Sequence, residues 1–213
     1  MENSPCYPLF LLLEGRRCVV VGGGKVAVRK VADLLDTGAD VIVVADVTLP
    51  AIEEQAQAGS ITLIRRSFEP GDIDNTFLVF AATDDSAVNA KIAEIARKNG
   101  TLINAVDDPE NCDFFSGAQV KRGPLRIAIS TSGQCPGLAA ALRKELEERY
   151  PGSLGDFIRV AGEMRSYVQS KASLTPDGKK RALDWISSGA ARTFFTTSGE
   201  EKVWTELQKM ISS

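Results

Sequence analysis

Gly22, Gly24 and Ala27 stand in the order G-x-G-x-x-A, directly after the apolar run Cys18 to Val21. Val19, Val20 and Val21 are β-branched, as a strand covered on both faces requires. In a strand–turn–helix setting the three small residues do separate jobs: a tight turn, close approach of backbone to a pyrophosphate, and close helix–strand packing. Backbone N–H groups at the start of the following helix would face the phosphates, aided by the helix dipole. Lys25 and Val26 follow the glycines and are expected to touch the same ligand through their backbone. Asp46 comes 24 residues after Gly22, close to the spacing of about 20 residues at which an acid accepts ribose hydroxyls. A carboxylate there repels a 2′-phosphate, which favours NAD over NADP, and Val47 takes the neighbouring place. A plain loop Asp is the competing reading, because Ala45 intervenes and Asp40 precedes the strand.

The elements that must hold these groups follow in regular alternation. Val26 to Leu35 has apolar residues at helical spacing and stops at Thr37 and Gly38. Val41 to Val44 reads as a second strand, Leu49 to Ala58 as a helix, Ile61 to Ile64 as a third strand and Phe77 to Ala82 as a fourth. Asp85 or Ser86 is placed to cap a helix running to about Lys98, Gly100 stops it, and Thr101 to Val106 is a fifth strand. Such alternation implies an α/β fold: a Rossmann-like, doubly wound parallel sheet. Ligands bind beyond the carboxyl ends of strands in such sheets. That places Gly22 to Lys25, Asp46, Thr83, Asp84 and Asp107 along one rim.

After residue 112 the pattern changes. Cys112 to Val120 and Leu125 to Ser130 read as short strands joined by a turn over Lys121 to Pro124. Pro136 opens a helix through about Tyr150, and from there only helices are expected, roughly 154–170, 177–188 and 199–211. Three parts are therefore expected: an NAD-binding domain over 1–112, a small α+β segment over 113–150, and a helical domain over 151–213. Two hairpin strands and one helix are too small to bury a core of their own. The middle segment is expected to pair with its counterpart in a second chain, as a symmetric homodimer.

Composition excludes several classes. The chain has 213 residues and a net charge of −3, with no footprint for nucleic acid or an anionic membrane. Met1 to Pro8 has no basic region, and Phe10 to Leu13 is too short for a signal or a span, so the cytoplasm is the default. Cys6, Cys18, Cys112 and Cys135 form no C-x-x-C pair, which argues against a disulfide framework or thiolate zinc site; Cys18 reads as a small core residue. There is no histidine. Ser-His-Asp and Cys-His catalysis, His-ligated zinc and histidine proton relays are thereby excluded.

Taken together, several stretches resemble the precorrin-2 dehydrogenase family, the NAD-dependent module of sirohaem synthase. They are Tyr7 to Phe10, Val21 to Ala27 with Arg29 and Lys30, Ala81 to Asp85 with Val88 and Asn89, Asn104 to Pro109, Arg122 to Leu125, and Ile127 to Gly133 with Pro136. They run in family order across about residues 7–150. The resemblance implies NAD-dependent oxidation of precorrin-2 to sirohydrochlorin, in some members followed by insertion of Fe2+ at the same site, and a dimer with exchanged contacts. It implies no metal ligand set. Methylation of the precursor is expected of another protein, because the chain ends too early for the methyltransferase domain of some members. Phe114 to Ala118 and Cys135 depart from the family pattern near the inferred substrate cleft.

Asp107 matches the family's catalytic Asp and would take the proton released when a hydride leaves the substrate. A turn-forming role for Asp107 and Asp108 before Pro109 is the structural alternative. Thr83 and Asp84 would border the nicotinamide side. Ser130 aligns with a serine in the family's cleft, or else simply ends its strand. Arg122, with Lys121, Arg126, Arg143 and Lys144, would offer cations to the substrate's carboxylates. Two rival readings remain. Tyr167 and Lys171 fit Y-x-x-x-K, with Ser153 upstream, as in short-chain dehydrogenases, although the glycine turn differs and no strands follow the Lys. A non-catalytic NAD-sensing module would share the first half of the fold.

Overall fold

The computed structural model describes residues 6–212. Met1 to Pro5, part of the segment read for a targeting signal, lie outside the described residues. Five strands, β1 (Arg17–Val21), β2 (Asp40–Val44), β3 (Thr62–Ile64), β4 (Leu78–Ala81) and β5 (Leu102–Ala105), form one parallel sheet in the order β3-β2-β1-β4-β5. Helices α1 (Lys25–Leu35), α2 (Pro50–Gln57) and α3 (Ser86–Asn99) connect them. This is the doubly wound sheet expected from the alternation.

Both faces of the sheet are covered, which is why its strands carry unbroken apolar runs. Side chains alternate between two cores: Cys18 and Val20 pack with Ala27, Val31 and Leu34 of α1, and Val19 and Val21 pack with Ile92, Ala93 and Ala96 of α3. Cys18 is fully buried, and burial pushes its thiol up to about 11. The inner stripe of α1 also includes Lys30, which is only 5% exposed, with Nζ 4.9 Å from the centre of the Phe80 ring.

The register sets up the ligand rim. Val21 of β1 lies level with Val44 of β2 and with Ala81 of β4. Gly22, Ala45 and Ala82 therefore leave the sheet together, at the point where the chain order reverses about β1.

The chain divides into two compact units, the first ending at Ser116 and the second beginning at Gly117. In the second, β6 (Ala118–Arg122) and β7 (Leu125–Ile129) form an antiparallel hairpin. Helices α4 (Pro136–Arg149), α5 (Ser153–Ser170), α6 (Pro176–Ile186), α7 (Gly189–Ser198) and α8 (Glu200–Ser212) follow. Val160, Met164, Val168, Ala182, Ile186, Val203 and Leu207 make the core of the last four helices.

Two expectations need correction. The strand read over Cys112 to Val120 begins only at Ala118. Residues before it lie along the free side of β5: the Asp113 N–H donates to the Ile103 carbonyl at 2.8 Å, the Ile103 N–H to the Asp113 carboxylate at 3.2 Å, and the Asn104 amide to the Phe114 carbonyl at 2.8 Å. One backbone bond and two side-chain bonds thus cover a sheet edge that would otherwise be open. The last segment has four helices where three were expected. Helix α7 was missed because Gly, Thr and Phe are weak helix formers. Packing of Ala191, Phe194 and Phe195 and the Ser188 hydroxyl, which accepts from the Ala191 N–H at 3.1 Å, sustain it. Among the described residues no helix is long and apolar enough to cross a membrane.

Candidate cofactor-binding site

A cavity of about 560 Å3 opens beyond the carboxyl ends of β1, β2 and β4. Gly22, Gly24, Asp46, Val47, Thr83 and Asp84 all line it. Its size falls in the range of small-molecule sites. Lys25, Val26 and Asp107 are not among its lining residues.

The three consecutive glycines have different reasons to be glycine. Gly22 has φ +121°, and a Cβ there would lie 2.3 Å from the Ala82 carbonyl oxygen. A Cβ on Gly23 would lie 2.0 Å from the Val47 carbonyl oxygen, and the Gly23 carbonyl accepts from the Leu49 N–H at 2.9 Å. Gly23 is a variable position in the motif, so only the packed loops reveal its necessity. A Cβ on Gly24 would meet nothing within 4 Å. Packing within the protein does not require glycine at that position. The open space above it suits a ligand that must approach the backbone.

Gly24 is also the N-cap of α1, which has no side-chain cap and no acid in its first turn. Its first N–H groups are left without side-chain acceptors, in the arrangement that receives an anion. Lys25 and Val26 are the first two residues of α1, so their backbone N–H groups belong to that first turn. The residues present therefore fit a dinucleotide pyrophosphate.

At the β2 end, the Ser67 hydroxyl donates to Asp46 at 2.6 Å. Asp46 is exposed and lines the cavity, so one face of its carboxylate is oriented by Ser67. Thr48, also in the lining, donates to Glu53 at 2.5 Å, and Arg65 pairs with Glu53 at 2.6 Å. Arg66 lines the cavity as well. Its guanidinium grips Asp72 through two bonds of 2.8 and 2.7 Å.

At the β4 end, Asp85 is the N-cap of α3, accepting from the Ala87 and Val88 N–H groups at 2.8 and 3.2 Å. The Thr83 hydroxyl donates to Asn89 at 2.7 Å, and the Asn89 amide donates back to the Thr83 carbonyl at 3.0 Å. Asn89 is buried, so this pair fixes the turn that carries Thr83 and Asp84. A buried polar residue one turn into an otherwise apolar helix face was the signal for it.

Asp107 follows β5 with φ +60° and is exposed. Among the described residues its carboxylate has no hydrogen-bond or ion-pair partner, whereas the neighbouring Asp108 accepts from Asn111 at 2.7 Å. The left-handed backbone costs on the order of 1 kcal/mol for a residue with a Cβ. Asp107 occupies the left-handed position of the turn that the Asp108 N–H closes on the Ala105 carbonyl at 3.3 Å, and its side chain is exposed.

The candidates of the second unit have partners within that unit. Arg122 directs its guanidinium at the Tyr150, Lys121 and Glu147 carbonyls at 2.6, 2.8 and 2.9 Å. It fastens the last turn of α4, where a cation also complements the helix dipole. Its guanidinium is thus directed at backbone carbonyls, with no carboxylate partner among the described residues. Arg143 pairs with Glu147 at 2.6 Å, and Arg126 donates to the Gly123 carbonyl. Ser130 is exposed, and its oxygen accepts from the Ser132 N–H at 3.1 Å in the turn after β7. Tyr167 meets Trp204 edge-on at 5.7 Å, and Lys171 sits over the Tyr167 ring at 4.7 Å. Lys171 thus faces the ring rather than the hydroxyl, and the short-chain arrangement is not present. Among the described residues no group of three or more acids and thiols could hold a metal ion.

Comparison with known proteins points to the same ligand class. The family described as "Putative NAD(P)-binding" matches residues 9–118, and the sirohaem biosynthesis protein central family matches residues 122–149. The chain belongs to the putative NAD(P)-binding family. It is 44% identical over 206 residues to a siroheme synthase of Sodalis glossinidius, covering 97% of this chain and 44% of that one. A siroheme synthase of Methylococcus capsulatus is 42% identical over 178 residues, covering 84% and 37%. The chain spans less than half the length of these curated relatives. A solved precorrin-2 dehydrogenase, SirC, superposes with a TM-score of 0.81 at 28% identity, covering 96% of this chain and all of that one. A nicotinamide cofactor is the ligand class that the family supports.

Proposed function

We propose that the protein oxidises precorrin-2 to sirohydrochlorin with NAD as electron acceptor. The observation that carries this is the cavity at the switch point of the sheet, where Gly24 leaves open space above the uncapped start of α1. When bound, the nicotinamide accepts a hydride from the substrate. The first-turn N–H groups of α1 hold the pyrophosphate, and Asp46, oriented by Ser67, takes the ribose hydroxyls. Thr83 and Asp84 border the nicotinamide side, on a turn fixed by Asn89.

Loss of hydride leaves a proton to be removed from the macrocycle, and Asp107 is the base. Among the described residues its carboxylate has no partner to compete for that proton. The same carboxylate would accept pyrrole protons if Fe2+, as a second substrate, enters the product to give sirohaem. Ser130 is assigned to the substrate. The protein works in the cytoplasm as a homodimer through residues 113–150, a reading supported by the two-stranded β6–β7 sheet, which is marginal by itself.

An anaerobic assay with precorrin-2, NAD and then Fe2+ tests the reading. NADH and sirohydrochlorin should form in equal amounts, and sirohaem after iron. Asp107→Asn should melt within a degree or two of the parent, because Asn tolerates the left-handed backbone, yet lose at least about 100-fold in dehydrogenation, in line with general-base contributions of 10²–10⁴. Unchanged turnover in that variant removes Asp107 from the mechanism. NAD binding without NADH production would mark a sensor rather than an enzyme.

A further inference from the structure

The cavity contains a feature that the proposed reaction does not use. Arg66 lines the same cavity as Asp46, and its neighbour Ser67 bonds directly to Asp46. An arginine beside the ribose-binding acid is the usual device for a 2′-phosphate. Here it is occupied. Both amino groups of Arg66 donate to Asp72, and Glu69 adds a third oxygen at 3.5 Å. The Asp72 side chain is only 5% exposed and also accepts from the Glu69 N–H at 2.8 Å, so it is anchored at the start of the 3-10 turn Pro70–Ile73. The adjacent Arg65 is likewise held, by Glu53. Both cations that follow β3 are thus paired with carboxylates outside the ligand space, whereas Asp46 has no ion-pair partner among the described residues.

We infer that Asp72 is a specificity-determining residue that never touches the cofactor: by clamping Arg66 it withholds the cation a 2′-phosphate would need, and so sets the preference for NAD over NADP. This rests on reading the cavity as a nicotinamide dinucleotide site. The planar two-pronged pair is the strong form of the contact, and a lysine could not reproduce it. The low-lying carboxyl of Asp72, held below the usual range chiefly by the Arg66 bond, keeps the clamp charged at neutral pH. Asp46 repels the extra phosphate, and the clamp ensures that nothing nearby compensates.

The test is calorimetric binding of NAD+ and NADP+ to the full chain at low ionic strength. The wild type should prefer NAD+ by at least tenfold. Asp72→Asn keeps the shape and an acceptor for the Glu69 N–H but loses the charge. It should tighten NADP+ about tenfold with NAD+ affinity within twofold of wild type, and adding Arg66→Gln should cancel that gain. An unchanged NADP+ affinity in a folded Asp72→Asn protein overturns the clamp while leaving the dinucleotide site standing. If Asp72→Asn does not fold, Arg66→Gln alone decides. A clamped guanidinium discriminates nothing, so the ratio of the two affinities should stay within twofold. A selective loss of NADP+ affinity overturns the inference. Failure of the wild type to bind either dinucleotide overturns the site itself and the clamp with it.

Discussion

The two compact units handle their chemically able side chains in opposite ways. In the first, residues far apart in sequence converge on one cavity, because parallel strands all end on the same rim. In the second, Arg122, Arg126 and Arg143 each turn to a carbonyl or carboxylate close by in the hairpin or in α4. An antiparallel hairpin points its strand ends in opposite directions, so β6 and β7 share no rim of strand ends. Convergence in the first unit is a property of topology, and side-chain type alone does not confer it. Three arginines of the basic cluster, Arg122, Arg126 and Arg143, accordingly have partners within the hairpin and α4.

The comparison can be broken most sharply at the glycines. Gly23→Ala drives a Cβ into the Val47 carbonyl and the Thr48 Cα; it should cost ~3 kcal/mol, at the upper end for overpacking, and abolish NAD binding. Gly24→Ala meets open space at an ordinary φ of −83°, so its cost should be confined to the poorer N-cap, about 0.5–1 kcal/mol. Its NAD affinity should nevertheless fall at least tenfold, because the new methyl stands where the pyrophosphate approaches. Melting curves and calorimetry on the pair separate packing from ligand contact. Equal NAD affinity in Gly24→Ala and wild type would show that no ligand approaches the start of α1.

Arg122→Leu sharpens the other side. Removing a charged donor of three carbonyl bonds should cost ~2 kcal/mol. If the residue is only an anchor, precorrin-2 KM in the folded variant stays put while the melting temperature drops. A raised KM at unchanged stability would return it to the substrate.

The smallest effect concerns Lys30. Burial pushes its amine down to about 8 from 10.5, and the nearby Arg29 adds to that. The folded state therefore binds fewer protons than the unfolded chain from below pH 8 up to 10.5, and stability rises with pH there. Between pH 7 and pH 9 the gain from this group should be about 1 kcal/mol. Lys30→Met should abolish that slope relative to wild type in paired denaturation series. Identical slopes would mean the amine reaches water.

Much of the first unit was legible because its signals are local. The valine runs, the G-x-G-x-x-A turn and Asp85 each act within a few residues of themselves. Alternating strands and helices then permit one sheet handedness, so a rim containing Asp46, Thr83 and Asp84 could be placed from sequence. Family resemblance supplied the substrate class and the part assigned to Asp107, which spacing did not. The burial of Lys30 was not read from the sequence, although it shares the α1 stripe with Ala27, Val31 and Leu34.

Other features depended on contacts between distant segments. Gly23 owes its identity to a loop 24 residues downstream, Arg66 is defined by Asp72, and Arg122 by the far end of α4. Helix α7 exists because Phe194 and Phe195 have neighbours to pack on, against the preference of its own residues. Local conformational preference is a short-range energy and is written in the chain itself. Which charge meets which carbonyl is settled only when packing brings distant backbone together, and there the tertiary structure alone decides.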